Sequence, residues 1–145
     1  MKTQNKKLND FTVNVRMKLA GLWTALMLLY IYCDIYSFHR PGYVSEMIAG
    51  MIGPFKVSQE ILAAFGLLMV IPALMIPACL LLKAKIAKRA NVIVGVLYGF
   101  VNIGNLIGET WAYYWIYGIL EMAVIVGIII VASKWAREEI GNDLT

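Results

Sequence analysis

Thr110 to Ser133 reads TWAYYWIYGILEMAVIVGIIIVAS, and this stretch decides the fold. A helix needs roughly 20 apolar residues to cross about 30 Å of hydrocarbon, and the stretch meets that length with Glu121 as its one charged group. Three more stretches do the same: Leu19 to Phe38, Val57 to Leu82 and Asn91 to Gly108. Over all 145 residues the chain is 61% hydrophobic and 15% charged, with a mean hydropathy of +0.72, far more apolar than a soluble domain. The expected fold is all-α, a transmembrane four-helix bundle forming a single membrane domain over residues 1–145.

Orientation is read from the basic residues, which are retained on the cytoplasmic side of span ends. Lys2, Lys6, Lys7, Arg16 and Lys18 precede the first span, Lys83, Lys85, Lys88 and Arg89 lie between the second and third, and Lys134 and Arg137 follow the fourth. Of the 13 Lys and Arg only Arg40 and Lys56 fall on the other side, so both termini are expected inside, N-in and C-in. The net charge of +4 is then a topology signal with attraction to anionic membrane lipid, and no nucleic-acid partner is expected. The first span resembles a signal peptide in its basic start, but no small-residue cleavage site follows it and bulky Tyr30-Ile31-Tyr32 precede Cys33. It is expected to stay as a span of a multi-pass protein of the cell inner membrane. Cys33 and Cys79 belong to opposite halves of the membrane and form no C-x-x-C pair, which leaves no thiol-redox motif.

The first 18 residues are polar, with a strand-like alternation of Phe11, Val13, Val15 and Met17 that a lone strand cannot exploit, and they carry no assignment. In the first outer loop Val44, Met47, Ile48, Met51, Ile52 and Phe55 fall on one helical face. Pro41 fits the start and Gly53-Pro54 the stop, so a short amphipathic helix is expected over about 42–53, lying on lipid or closing over the bundle. Pro72 and Pro77 predict a bend in the second span. In the third, Gly95 and Gly99 share a face with Tyr98, Asn102, Asn105 and Glu109, while Gly104 and Gly108 lie opposite. Small residues let helices approach closely, so these glycine faces are candidates for packing within the chain and for a homo-oligomer. Trp111, Tyr113, Tyr114 and Trp115 mark the outer interface and Trp135 the inner one.

Ionisable groups cost about 2.5 to 3.5 kcal/mol at mid-bilayer on insertion scales, so each needs an explanation. Asp34, Glu60, Glu109 and Glu121 all fall in the outer half. Glu60 and Glu109 are explained most simply as solvated helix ends, and Asp34 divides evenly between that and a role. Glu121, about three turns into its span, is too deep for that. Tyr30 shares a face with Asp34, Asn102 and Asn105 with Glu109, and Tyr114 and Tyr117 with Glu121. If these faces point inward they line an outer-half cavity of carboxylates, amides and phenols, suited to a small cationic or amphipathic ligand or to protons. The bland alternative makes the asparagines interhelical glue and the tyrosines packing. His39 is the lone histidine and sits in a loop, so no haem or metal site and no cofactor is expected. An acid/base enzyme acting on a lipid-soluble substrate through Glu121 and Asp34 is the alternative, and an oligomeric structural or channel subunit the third reading.

The segments LYIYCDIYS (Leu29 to Ser37), GPFKVSQ (Gly53 to Gln59), IPALMI (Ile71 to Ile76) and IGETWAYYW (Ile107 to Trp115) resemble an uncharacterised family of small bacterial four-span membrane proteins, a domain of unknown function. The resemblance covers Lys18 to Trp135 and implies a bacterial inner-membrane setting but no activity and no site residues. A looser similarity to DoxX-like proteins concerns size and layout only.

Overall fold

The computed structural model describes residues 12–135. Lys2, Lys6, Lys7, Phe11 and Arg137, used above for topology and patterning, lie outside them. The elements are α1 (Val15–Ser37), α2 (Tyr43–Ile48), β1 (Met51–Ile52), β2 (Phe55–Lys56), α3 (Gln59–Leu81), α4 (Ala84–Leu106) and α5 (Ala112–Ser133). Helices α1, α3, α4 and α5 are each long and apolar enough to cross a membrane. The four-helix bundle is therefore present, with α2 and a two-stranded hairpin between α1 and α3. The end carrying α2, the hairpin and the α4–α5 turn is called distal, and the end carrying Val15 and Ser133 terminal.

Local chemistry explains where the elements begin and end. Asn14 accepts a hydrogen bond from the Arg16 N–H at 2.9 Å, capping α1, so the alternation through Val15 and Met17 is helix. Helix α4 starts at Ala84, just after Lys83, seven residues before the expected Asn91. Lys85, Lys88 and Arg89 thus occupy its opening turns, where a search for apolar runs stops short. The outer-loop helix ends at Ile48 instead of continuing to Gly53. Gly50 has φ of 75°, which terminates a helix, and Met51 and Ile52 pair antiparallel with Lys56 and Phe55. Gly53 at φ 53° turns the two-residue loop. The residues of the expected apolar face therefore divide between two elements, and α2 buries none of its side chains.

Packing places α1 and α5 at the centre, with α3 against α1 and α4 against α5, while α3 and α4 touch little despite their short link. The core lies towards the terminal end, where Leu19, Trp23, Leu26, Cys79, Tyr98, Ile125, Ile128 and Ala132 are buried together. Outward-facing Leu67, Leu74, Ile93, Phe100 and Ile119 are more than half exposed, a surface suited to hydrocarbon and not to water. Polar contacts run between helices at successive levels. The Arg16 Nη1 donates to the Cys79, Leu80 and Leu82 carbonyls at 3.1, 3.2 and 2.7 Å, satisfying the open end of α3. Deeper, Asn91 Oδ1 accepts from Trp23 Nε1 at 2.7 Å and from the Cys79 thiol at 3.3 Å, while its Nδ2 donates to the Ala87 carbonyl. The Tyr98 hydroxyl donates to the Leu68 carbonyl and bridges α4 to α3.

Close approach explains two of the glycines. A Cβ on Gly95 would meet Ile129 Cγ1 at 2.9 Å, and one on Gly118 would meet Leu106 Cδ2 at 2.6 Å, whereas at Gly104 nothing lies within 4 Å. Gly118→Val is therefore expected to lower stability by about 1 to 3 kcal/mol through overpacking, and Gly104→Ala to be neutral or slightly stabilising by helix propensity. Thermal unfolding of the two variants in the same nanodiscs checks this, and equal losses would contradict the assigned α4–α5 contact.

Candidate functional site: a buried acidic pocket and an outer cleft

Glu121 lies nine residues after Ala112, so at 1.5 Å per residue it stands roughly 13 Å below the start of α5. Gly118 and Tyr117, one turn earlier, diverge from it by about 60° and 40° in opposite directions at about 100° per residue. Gly118 packs on Leu106 of α4, and Tyr117 meets the Tyr36 ring of α1 at 6.1 Å. Glu121 is thereby aimed between α1 and α4. Its Oε2 accepts from Asn102 Nδ2 at 2.7 Å, and Glu121 and Asn102 are only 6% and 1% exposed.

A pocket of about 50 Å³ opens beside this pair, lined by Tyr30, Cys33 and Asp34 of α1, Met69 of α3, Tyr98, Val101 and Asn105 of α4, and Tyr114 and Glu121 of α5. All four long helices contribute. Glu121 and Tyr98 form its buried side, while Asp34 and Asn105 are exposed and stand at its mouth. No Lys or Arg lines it. The Tyr30 hydroxyl and the Asn102 Oδ1 are buried without a hydrogen-bond partner in the protein, an arrangement that costs about 1 to 3 kcal/mol per group unless something enters to satisfy them.

The second feature is larger and nearer the surface. A cleft of about 540 Å³ lies between α2 and the hairpin on one side and the α4–α5 turn on the other. Asn105 lines both cavities. In the cleft Arg40 grips Glu109 with two bonds of 3.0 Å, Nη1 to Oε2 and Nη2 to Oε1. The guanidinium also lies 5.0 Å from the Trp111 ring centre and 5.9 Å from that of Tyr113, within cation–π range. Glu109 Oε1 further accepts from the Thr110 and Trp111 N–H groups at 2.8 and 3.0 Å, so the carboxylate sits at the start of α5, where a helix favours negative charge. Ser37 and Tyr113 hydroxyls, 2.8 Å apart, tie α1 to α5 alongside.

The expected site residues therefore separate. Tyr30, Asp34, Asn105, Tyr114 and Glu121 share the pocket, with Asn102 bonded to its deepest acid. Glu109 is held by Arg40 in the cleft and Tyr117 packs on α1. Glu109 is not the free helix end that its position suggested, because its partner Arg40 lies 69 residues away in sequence. Cys33, Met69, Tyr98 and Val101 are lining residues that sequence reasoning passed over. Tyr98 alone carried a signal, through its shared face with Asn102 and Asn105. Among the described residues no three His, Cys, Asp or Glu side chains come together as metal ligands.

Burial pushes the Glu109 carboxyl up, but the Arg40 hydrogen bonds, the two backbone donors and the Arg40 charge outweigh it and hold it below the usual carboxylate range. A carboxyl whose folded value is depressed stabilises the fold above its unfolded value, near about 4.3 for Glu, and that stability is lost as pH falls through the folded value. Glu109→Gln should therefore unfold more easily than wild type by about 1 to 3 kcal/mol at pH 7, with the gap closing below a pH of about 4. Thermal unfolding at stepped pH checks it, and a gap independent of pH would show that the ion pair contributes nothing.

Residues 6–142 match the family described as "Family of unknown function (DUF6326)". No curated protein and no solved structure matches the chain.

Proposed function

The chain belongs to this family of unknown function, membership brings no activity with it, and we propose that the protein binds a small cation in the pocket between α1, α4 and α5. The observation that carries the reading is the pocket's chemistry. Two carboxylates, Asp34 and Glu121, line it without any basic side chain, and beside them the Tyr30 hydroxyl and Asn102 Oδ1 have no protein partner. Oxygen donors of this kind suit a hard cation.

Size narrows the class further. At about 50 Å³ the pocket has room for a monovalent ion or one to two waters, each water occupying about 30 Å³ in the liquid. Drug-sized ligands need about 300 to 1,000 Å³, so an amphipathic molecule does not fit. Arg40, the nearest cation towards the surface, is committed to Glu109 and is not available as counter-ion. In the membrane, Arg16, Lys18, Lys83, Lys85, Lys88, Arg89 and Lys134 gather at the terminal end while Arg40 and Lys56 lie at the distal end. By the positive-inside rule the distal end faces outward in a cell inner membrane, and the pocket opens to the outside. A phosphatase fused to the C-terminus is expected to be inactive in the periplasm, and an active fusion would reverse this orientation.

The test of binding uses the protein in nanodiscs at constant ionic strength, comparing sodium and potassium chloride with N-methylglucamine chloride, whose cation exceeds the pocket. Sodium or potassium should raise the unfolding temperature saturably, by the equivalent of about 2.7 kcal/mol at a hundred times the dissociation constant. Glu121→Gln and Asp34→Asn should each abolish the rise. Protons compete for the same carboxylates, so the effect should weaken as pH falls. Equal unfolding temperatures in all three salts, or an unchanged response in Glu121→Gln, would overturn the reading.

A further inference from the structure

Two cavities that share a wall invite the question of how the deeper one is reached. The pocket and the outer cleft have a single lining residue in common, Asn105. It lies three residues after Asn102 on the same face of α4, and Glu109 follows beyond the helix end at Leu106, past Ile107 and the left-handed Gly108 at φ 81°. Asn102 carries the bond to Glu121 in the interior, and Glu109 carries the Arg40 ion pair in the cleft. Asn105 thus stands at the distal end of α4 between a buried polar pair and one nearer the surface. The apolar part of the pocket lining is Met69 of α3 and Val101 of α4.

We infer that the cleft is the vestibule of the buried pocket, that Asn105 is the constriction between them, and that the Arg40–Glu109 pair latches the vestibule shut. The inference rests on the cation-binding reading for its purpose, but the route is a separate geometric statement. Arg40 follows the C-terminus of α1, and Glu109 and Trp111 belong to the α4–α5 turn, so the pair fastens the distal end of α1 across the end of α4. The two-pronged bond gives the latch a defined closed geometry. Its position within the cleft, where both side chains remain partly accessible at 20% and 12%, lets it open without exposing a core. Release of the pair frees α2, which buries none of its side chains, to move away from the turn, while the hairpin stays anchored by the Phe55 ring 5.9 Å from that of Phe65 on α3. Asn105 admits a cation by offering it an amide oxygen in place of water.

The protein carries its own reporter of access. Cys33 lines the pocket and is 6% exposed, while the other thiol, Cys79, can be removed as Cys79→Ser, which keeps a donor for Asn91. In that background, in nanodiscs, the rate of Cys33 modification by the small cationic reagent aminoethyl methanethiosulfonate reads the route directly. Asn105→Trp should slow modification about tenfold by closing the constriction, since passage through a narrow polar opening is set by its diameter and lining. Arg40→Gln should speed it roughly fivefold, the population shift expected on losing a partly buried ion pair, and Arg40→Lys should fall between the two. Ile119→Trp, at an outward-facing position of α5 outside both cavities, should leave the rate unchanged.

If Asn105→Trp and Arg40→Gln both leave the rate as it was, the vestibule is overturned. If Met69→Trp slows modification while Asn105→Trp does not, entry is lateral from lipid between α3 and α4, which overturns it equally. The salt-dependent unfolding of Glu121→Gln is measured separately. A protein that shows the expected access rates but no cation stabilisation keeps the route and loses the ligand, and the reverse result keeps the ligand and loses the route.

Discussion

Hydrocarbon offers no hydrogen-bond partner, and the arrangement of this bundle follows from that one constraint. Each polar side chain that enters the span must find its partner on another helix or reach an end. Arg16 reaches the α3 carbonyls, Asn91 takes Trp23 and Cys79, Asn102 takes Glu121, and Arg40 takes Glu109. These contacts sit at successive levels and together connect all four long helices. Burial of apolar surface does little to choose neighbours in a lipid solvent, so such bonds and the close glycine contacts do the choosing. The same constraint explains why the outward-facing surface is apolar while the buried polar side chains Asn91, Asn102 and Glu121 face other helices.

The levels are not equivalent, and the difference between the two buried asparagines separates structure from function. Asn91 uses its oxygen twice and its nitrogen once, against Trp23, Cys79 and the Ala87 carbonyl. It is a satisfied network of the kind that specifies packing. Asn102 uses only its nitrogen, on Glu121, and its oxygen is buried and bare. Buried groups left so are uncommon in native folds. That one of the two occurs beside a carboxylate pocket, with the equally bare Tyr30 hydroxyl on its wall, is what makes this level the candidate site and the other a joint.

Much of this was legible from residue order, for reasons that also explain what was not. Four apolar runs of the right length leave no other fold, and the depth of Glu121 marks it without any structure. The faces holding Tyr30, Asp34, Asn105 and Tyr114 follow from helical period, because in a long regular helix the angle between side chains is a matter of counting. Counting fails where the helix ends. The apolar face from Val44 to Phe55 continues in period beyond Gly50, yet a single left-handed residue there turns the second half into a hairpin. It fails again between distant segments: Arg40 and Glu109 are a loop cation and a helix-end acid until the fold brings them together, and only then does Glu109 leave the pool of free carboxylates. Tyr117 shows the finer limit. It shares a helical side with Glu121 to within about 40°, and that offset is enough to direct it to a different neighbour.

The pairing of Glu109 has a consequence for the charge balance of the pocket. With Arg40 neutralised by Glu109, the two acids that line the pocket, Asp34 and Glu121, have no cationic side chain there to answer them. Both acids line one small pocket, so as carboxylates they repel each other unless something positive accompanies them. The companion is a proton or a cation, and the two compete for the same oxygens. On the proposed reading a cation that enters displaces protons, and the two are coupled by electrostatics at the carboxylates. Only the bare oxygens of Tyr30 and Asn102 distinguish the two occupants. A proton on a carboxyl leaves an amide oxygen as it was, whereas a cation held between the acids, as proposed, would draw such oxygens in, and that difference is the selectivity the proposed site would have.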